Sequence, residues 1–315
     1  FDLIGGIRWE WGLTVLLFGA ATSLFGVLFA LMQHDLKRLL AYHSVENIGI
    51  ILIGIGLSMV FIGSGHPVAG ALGLIAGLYH TLNHAVFKGL LFLGAGAILK
   101  STGLRNLNQM GGLIRYMPHT AIYFLIGALA ISALPPLNGF ISEWLTFQAS
   151  LQAPQLASSV VRSLVPIVAA VLALSGALTG MCFVKVYGIA FLGQHRHEFT
   201  LKPREASGWE RAGMLWLTLG CFALGLFPVF MIGELNNVCL ALTGSGLSAE
   251  ALASGWLWLA PTTSAQASYS PVVFLLAIAV VFAVTFLGVR RVYHGRLRRA
   301  DPWDCGFPAQ TSRMQ

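Results

Sequence analysis

The sequence predicts an all-α polytopic membrane protein of about seven transmembrane helices, one of them discontinuous. Three observations carry that reading. Of its 315 residues 56% are apolar and 10% charged, and the mean hydropathy is +0.76, a balance that soluble domains do not show. The apolar residues fall into runs of about 20 or more between short charged stretches, which is the length that crosses a hydrocarbon core. One run is interrupted by Leu134-Pro135-Pro136-Leu137-Asn138-Gly139, where two prolines remove backbone donors and clash with the preceding turn. Broken helix at membrane depth is tolerated only against protein or water.

In order, the first span runs from about Gly12 to Met32 and ends at Gln33-His34-Asp35-Leu36-Lys37-Arg38. The second, about Leu40 to Phe61, opens with Tyr42-His43-Ser44-Val45-Glu46-Asn47 and is polar over its first two turns. The third, about Pro67 to Leu99, is long enough that it is expected to tilt or break. A loop with Lys100, Arg105 and Arg115 leads to the fourth, about Thr120 to Leu151, which holds the double-proline interruption. The fifth covers about Leu164 to Leu192 and carries Lys185; the mixed-charge loop Gln194 to Arg211 follows, with His195, Arg196, His197, Glu198, Lys202, Arg204, Glu205 and Glu210. The sixth is expected over Met214 to Ile232. In the stretch from Asn236 to Ser270, Ala251 to Leu259 is read as interfacial, with Trp256 and Trp258 as anchors. The last span, about Pro271 to Val292, ends in Arg290, Arg291, Arg296, Arg298 and Arg299.

Threading these spans alternately puts Lys37 and Arg38, the 100 to 115 loop, the 194 to 211 loop and the C-terminal arginines on one side, against Arg8 and Arg162 on the other. The excess of basic residues assigns that side, with the C-terminus, to the cytoplasm. The net charge of +7 is therefore a topology signal, and nucleic-acid binding is excluded. Cys182, Cys221, Cys239 and Cys305 are scattered without a Cys-x-x-Cys pair, so no iron–sulfur or zinc site is supported and no cofactor is expected. The chain opens at Phe1-Asp2-Leu3 without Met, and it is expected to be a fragment lacking an N-terminal half.

Within the spans the titratable residues are few. His80, His84 and Lys88 recur in steps of four, on one helical face and each about 6 Å further along. A charged Lys there costs roughly 2.5 to 3.5 kcal/mol on insertion scales, so it should face protein or a wet cavity. The bland alternative is that the histidines bond between helices and the lysine snorkels. Glu46, Glu143 and Lys185 complete the set, with Lys37 and His43 at an entrance. Desolvation disfavours the charged form of lysine and carboxylate alike, which makes each switchable, as a proton relay requires. A zinc hydrolase lacks a third ligand and a Glu after His80; bis-histidine haem sits poorly beside Lys88. His43, Ser44 and Glu46 are too crowded for nucleophilic catalysis. Glu143 lies four residues past Gly139, where unwound backbone can admit water; the alternative is a carboxylate that merely caps the second helix fragment.

Asp35-Leu36-Lys37-Arg38-Leu39-Leu40-Ala41-Tyr42, then Asn83-His84-Ala85-Val86-Phe87-Lys88-Gly89-Leu90-Leu91-Phe92, then Leu134-Pro135-Pro136-Leu137-Asn138-Gly139-Phe140 resemble the three signatures of the antiporter-like subunits. Respiratory complex I, multisubunit sodium/proton (Mrp-type) antiporters and membrane-bound hydrogenases share these subunits. The string Tyr42 to Gly49 and the tail Trp303-Asp304-Cys305-Gly306-Phe307 are most similar to the branch of hydrogenase-4 component B and the formate hydrogenlyase membrane subunit. The resemblance implies two inverted five-helix repeats, each with a broken helix and a half-channel. Residues 1–193 then correspond to the second repeat, and 194–315 to C-terminal helices and a cytoplasmic tail. It also implies a proton relay of Lys37 and Lys88 as buried lysines, His80 and His84 beside the latter, Glu143 on the broken helix, and His43 and Glu46 as hydrogenase-branch features. The helix break would be Pro135, Pro136 and Gly139. The function implied is proton translocation in a respiratory or energy-converting hydrogenase complex. Its partners would be other membrane subunits and a peripheral redox module, a nickel-iron hydrogenase, that holds all redox centres. The alternatives are an Mrp-type sodium/proton antiporter subunit and a structural anchor that does not pump.

Overall fold

The computed structural model describes residues 6–192, 202–247, 259, 268–293 and 295. Phe1 to Leu3, His195 to Glu198, the Trp256 and Trp258 anchors, Arg296, Arg298, Arg299 and the Trp303 to Phe307 motif lie outside those residues. Among the described residues there are nine α-helices: α1 Trp9–Leu31, α2 Leu36–Gly63, α3 Pro67–Thr102, α4 Pro118–Ile131, α5 Asn138–Ser150, α6 Ser159–Tyr187, α7 Gly208–Leu226, α8 Pro228–Thr243 and α9 Pro271–Val292. Of these α1, α2, α3, α6 (with the π turn that follows it) and α9 are each long and apolar enough to cross a membrane, and α7 with α8 makes a sixth if that bent pair counts as one span.

Local chemistry sets the helix ends. Asp35 caps α2 by accepting the Arg38 backbone N–H at 2.9 Å. Pro67, Pro118, Pro228 and Pro271 occupy first turns, where no intrahelical donor is needed, and Gly103 ends α3 in the left-handed region at φ 72°. Ser207 and Glu210 close a capping box at the start of α7. The interrupted span stops at Ile131 and restarts at Asn138.

One expectation narrows and one needs correction. The third span neither splits nor breaks: α3 is one continuous helix of 36 residues, because no proline follows Pro67 within it and its polar residues find partners on neighbouring helices. The sixth is not one straight span, since α7 and α8 meet at 81°. Pro228 has no N–H for the Leu224 carbonyl and forces Phe227 out of the helical region, to φ −121° and ψ 48°. The Tyr79 hydroxyl donates to that freed carbonyl at 2.5 Å.

The packing is closest between α1 and α2. Gly12, Gly19 and Gly26 on one helix and Gly49, Gly56 and Gly63 on the other recur every seven residues, and a methyl at any of them would strike the partner backbone. Next in line, α3 packs against α2, α4, α5, α7 and α8, while α6 closes the bundle against α1, α2, α4 and α5. By contrast α9 buries only Pro271.

The bundle is stratified. One apolar cluster contains Leu39, Leu40, Phe87, Leu91, Phe124 and Phe183; the other contains Leu16, Ile53, Leu57, Tyr79, Leu145 and Val165. Along α2, α3 and α6 most of the buried polar residues fall where one cluster gives way to the other, making a polar layer within the apolar bundle. The basic loops meet at one end. There the Leu36 N–H bonds the Arg105 carbonyl at 3.0 Å, Ser101 pairs with the Arg204 backbone N–H at 2.7 Å, and Lys100 reaches Glu210 at 2.8 Å.

Candidate functional site

The polar layer begins on α2, where His43, Glu46 and Asn47 leave one face at steps of three and four residues and are all buried. His43 Nδ1 and Glu46 Oε2 form a short ion-pair contact, and the second carboxylate oxygen, Oε1, accepts from the Thr179 hydroxyl on α6. A turn earlier on α6, Ser175 Oγ lies 3.1 Å from Ser23 Oγ of α1. An unpaired carboxylate at this depth would carry a desolvation cost of several kcal/mol, and both oxygens are accordingly engaged. The His43 ring lies against Phe183, centroids 4.9 Å apart.

Asn47 links this group to α3. Its Nδ2 donates to the His43 carbonyl at 2.7 Å, and its Oδ1 lies 3.1 Å from His80 Nε2. The other ring nitrogen, His80 Nδ1, lies 2.9 Å from Ser142 Oγ on α5. Asn83, nearly one turn further along α3, donates to the same Ser142 oxygen at 3.0 Å and to the Asn138 carbonyl at 2.8 Å. These bonds fasten the start of α5 to the middle of α3.

Lys88 is 5% exposed. Its Nζ donates to the Leu40 carbonyl of α2 and lies 5.8 Å from the Phe92 ring centroid; Glu46 and Cys182 are near enough to act on its charge. His84 is half-buried with its ring edge against Phe87. His80, His84 and Lys88 share a helix face as the spacing requires, but no hydrogen bond joins any two of them: the His80 nitrogens point to α2 and α5, and Lys88 points to α2. Lys37 is half-buried in the first turn of α2, about 13 Å along the axis from Glu46. Lys185 reaches the Leu31 carbonyl at 3.4 Å.

Glu143 is 6% exposed and has no hydrogen-bond partner among the described residues. It borders a cavity of about 230 Å³ whose wall includes Ser132 and Ala133 from the break, Trp144 from α5, and Ala173 and Gly176 from α6. The capping alternative fails on geometry, because Leu137 is the cap residue of α5 and Glu143 lies beyond the first turn, where the helix dipole has faded. The break that opens beside it is tightly held. A methyl at Gly139 would run into the Ala130 carbonyl of α4, and one at Gly225 of α7 into the Pro136 carbonyl.

Chemically, the layer brings two carboxylates, two buried histidines and a lysine into one hydrogen-bonded and electrostatic set, with hydroxyl and amide groups between them. The connectors Asn47, Ser142, Thr179, Ser175 and Ser23 are absent from the residues picked out by charge. Their signal is weaker: uncharged polar residues at helical steps inside apolar runs, such as Ser142 with Thr146 and Ser175 with Thr179. Among the described residues, no three His, Cys, Asp or Glu are grouped to hold a metal.

Residues 1–169 match the membrane family described as NADH:quinone oxidoreductase/Mrp antiporter. Over 303 residues the chain is 39% identical to hydrogenase-4 component B of Escherichia coli (strain K12), covering 96% of this chain and 45% of that protein. With formate hydrogenlyase subunit 3 of the same organism it shares 47% identity over 197 residues, 62% of this chain and 32% of that one. In three dimensions it is similar to a chain of the membrane-bound sulfane sulfur reductase, an archaeal respiratory membrane complex, with a TM-score of 0.74 and 26% identity over 97% of this chain and 46% of that one. The chain thus spans less than half the length of these relatives.

Proposed function

The chain belongs to the NADH:quinone oxidoreductase/Mrp antiporter membrane family and is a multi-pass membrane protein; from that premise we propose that it translocates protons as part of a membrane subunit of a respiratory or energy-converting hydrogenase complex. The observation that carries the proposal is the buried polar layer. Lys88, Glu46, His43, His80 and Glu143 are all buried among the side chains of two apolar clusters, and an arrangement this costly at membrane depth is retained for the passage of charge. A purely structural anchor has no use for it.

In this reading residues 1–193 are one half-channel repeat and 194–315 the helices that follow it. Lys88 and Glu46 act on one another through their charges with no hydrogen bond between them, and Glu143 is the group beside the broken helix that meets water. Lys37, Lys88, His80, His84, His43 and Glu46 make up the relay with Glu143. Electron transfer takes place in partner subunits, and the similarity to hydrogenase-4 component B and formate hydrogenlyase subunit 3 supports a nickel-iron module as that partner. The gathering of basic loops at one end of the bundle supports a cytoplasmic position for that end; the C-terminus is assigned to the same side from the charge pattern of the sequence.

Glu143→Gln tests the proposal. The amide nearly matches the carboxyl in size but cannot titrate, so the full-length protein should assemble into its complex and lose proton transfer in vesicles. Proton pumping at the wild-type rate, measured against an uncoupler control, would overturn it.

A further inference from the structure

Asn47 sits where the two parts of the polar layer touch, and its amide orientation is determined. Nδ2 faces the His43 carbonyl at 2.7 Å; the reverse orientation would set two acceptors against each other. Oδ1 is therefore the atom 3.1 Å from His80 Nε2. A carbonyl oxygen only accepts, so Nε2 carries a hydrogen whether the ring is neutral or protonated. The exchangeable site of His80 is then Nδ1, which faces Ser142 Oγ at 2.9 Å.

Ser142 is built to serve both states of that nitrogen. Its oxygen also lies 3.1 Å from the Gly139 carbonyl and receives Asn83 Nδ2 at 3.0 Å. With the ring neutral, the Ser142 hydroxyl donates to Nδ1. When the ring is protonated, Nδ1–H donates to Oγ and the hydroxyl turns to the Gly139 carbonyl. Nδ1 can thus hold or lack a proton with no heavy atom moving, the Ser142 hydroxyl keeping its own hydrogen in both states. Passage through the ring would require it to leave at Nε2, where the neighbour is a neutral amide that neither titrates nor hands on a proton.

We propose that Asn47 is the insulating residue of this network: it holds His80 as the Nε2–H tautomer and prevents direct proton exchange between the His43–Glu46 pair and His80, leaving Nδ1, on the α5 side, as the ring nitrogen that can gain or lose a proton. The consequence for transport rests on the proton-translocation reading; the tautomer does not. Glu46 and Glu143, with His84 and Lys88 on α3, would then influence one another by charge while their protons stay on separate branches.

Asn47→Asp replaces the amide by a near-isosteric group that can pass a proton. In the assembled full-length complex, reconstituted in vesicles under an imposed pH gradient without redox turnover, it should leak protons about tenfold faster than wild type, within the roughly hundredfold or more that a positioned acid–base group contributes. Asn47→Leu, which can neither conduct nor bond, should not leak. Equal leak rates in Asn47→Asp and wild type would overturn the proposal, as would a leak of the same size in Asn47→Leu. Nitrogen-15 NMR of the histidine-labelled wild-type complex, with His80 assigned by its loss in His80→Gln, decides the matter even if Asn47→Asp fails to assemble. The neutral ring should carry its proton on Nε2, and a proton on Nδ1 would sink the proposal. Should Glu143→Gln pump normally, the transport reading fails while the tautomer result stands by itself.

Discussion

Gly139→Ala probes whether the helix break positions the polar layer. The added methyl would run into the Ala130 carbonyl oxygen and lie 3.0 Å from its carbon, whereas carbon atoms rest at about 3.5–4.0 Å; α5 must therefore move by about 1 Å or more. It has little room on its other sides. The Asn83–Asn138 and His80–Ser142 bonds tie it to α3, and Gly225 of α7 packs on the backbone of Pro136 to Asn138. A 1 Å shift would stretch the 2.9 Å His80–Ser142 contact to about 4 Å, past the limit of a hydrogen bond. Overpacking of this kind costs about 1–3 kcal/mol, and a misplacement of about 1 Å in a reacting set can cost roughly a hundredfold in rate. The assay is proton transfer per assembled complex in vesicles, beside thermal stability. Gly12→Ala is the control, since its methyl would lie 2.5 Å from the Val60 nitrogen and 2.7 Å from the Met59 Cβ, also a forbidden contact, though less severe than the approach to the Ala130 carbonyl at Gly139, on α1 about 16 Å along that helix from Ser23. Both variants should lose stability, but only Gly139→Ala should lose proton transfer. Equal losses of transfer in the two, or none in an assembled Gly139→Ala complex, would refute the reasoning.

Lys88→Met keeps most of the side-chain volume and removes the charge and the bond to the Leu40 carbonyl; assembly should persist while proton transfer falls by about a hundredfold or more, and normal pumping would remove Lys88 from the relay. At the basic end, burial works against ionisation of Glu205, but hydrogen bonds from the Thr120 hydroxyl and from the backbone N–H groups of Ala206, His119 and Thr120 outweigh it and hold its pKa below the ordinary carboxylate value. Its folded pKa lies below its unfolded one, so the stability it contributes is present above the unfolded pKa and is lost as pH falls through the folded pKa. Amide-exchange protection of residues 202–207 should therefore drop on acidification through that window, and Glu205→Gln should abolish the pH dependence; an unchanged profile in the variant counts against this role. For orientation, a cysteine at Lys202 should resist an impermeant thiol reagent applied to intact cells and react after lysis, and labelling before lysis would reverse the topology.

Much of the architecture was legible from local rules. Membrane insertion is summed along each run of about 20 residues, so hydropathy alone located the spans, and Pro135 and Pro136 announced the interruption because a missing N–H acts on its own turn wherever it lies. Pro228 was not weighed in that way, and a bend went unread there. Charged groups were legible for a similar reason: a lysine or carboxylate in an apolar run is costly in any fold, which made Lys88, Glu46 and Glu143 stand out. What each of them meets was decided only by tertiary structure. His80, His84 and Lys88 share a face by periodicity, yet their bonds go to other helices, because the direction of a ring nitrogen depends on which neighbour lies opposite. The connectors Asn47, Ser142 and Thr179 cost too little singly to mark the sequence, and they acquire a role through the close approach of α2, α3, α5 and α6. That approach follows from backbone contacts spread over many residues, among them the glycines at which α1 and α2 touch, and no window of the sequence contains both sides of any of them.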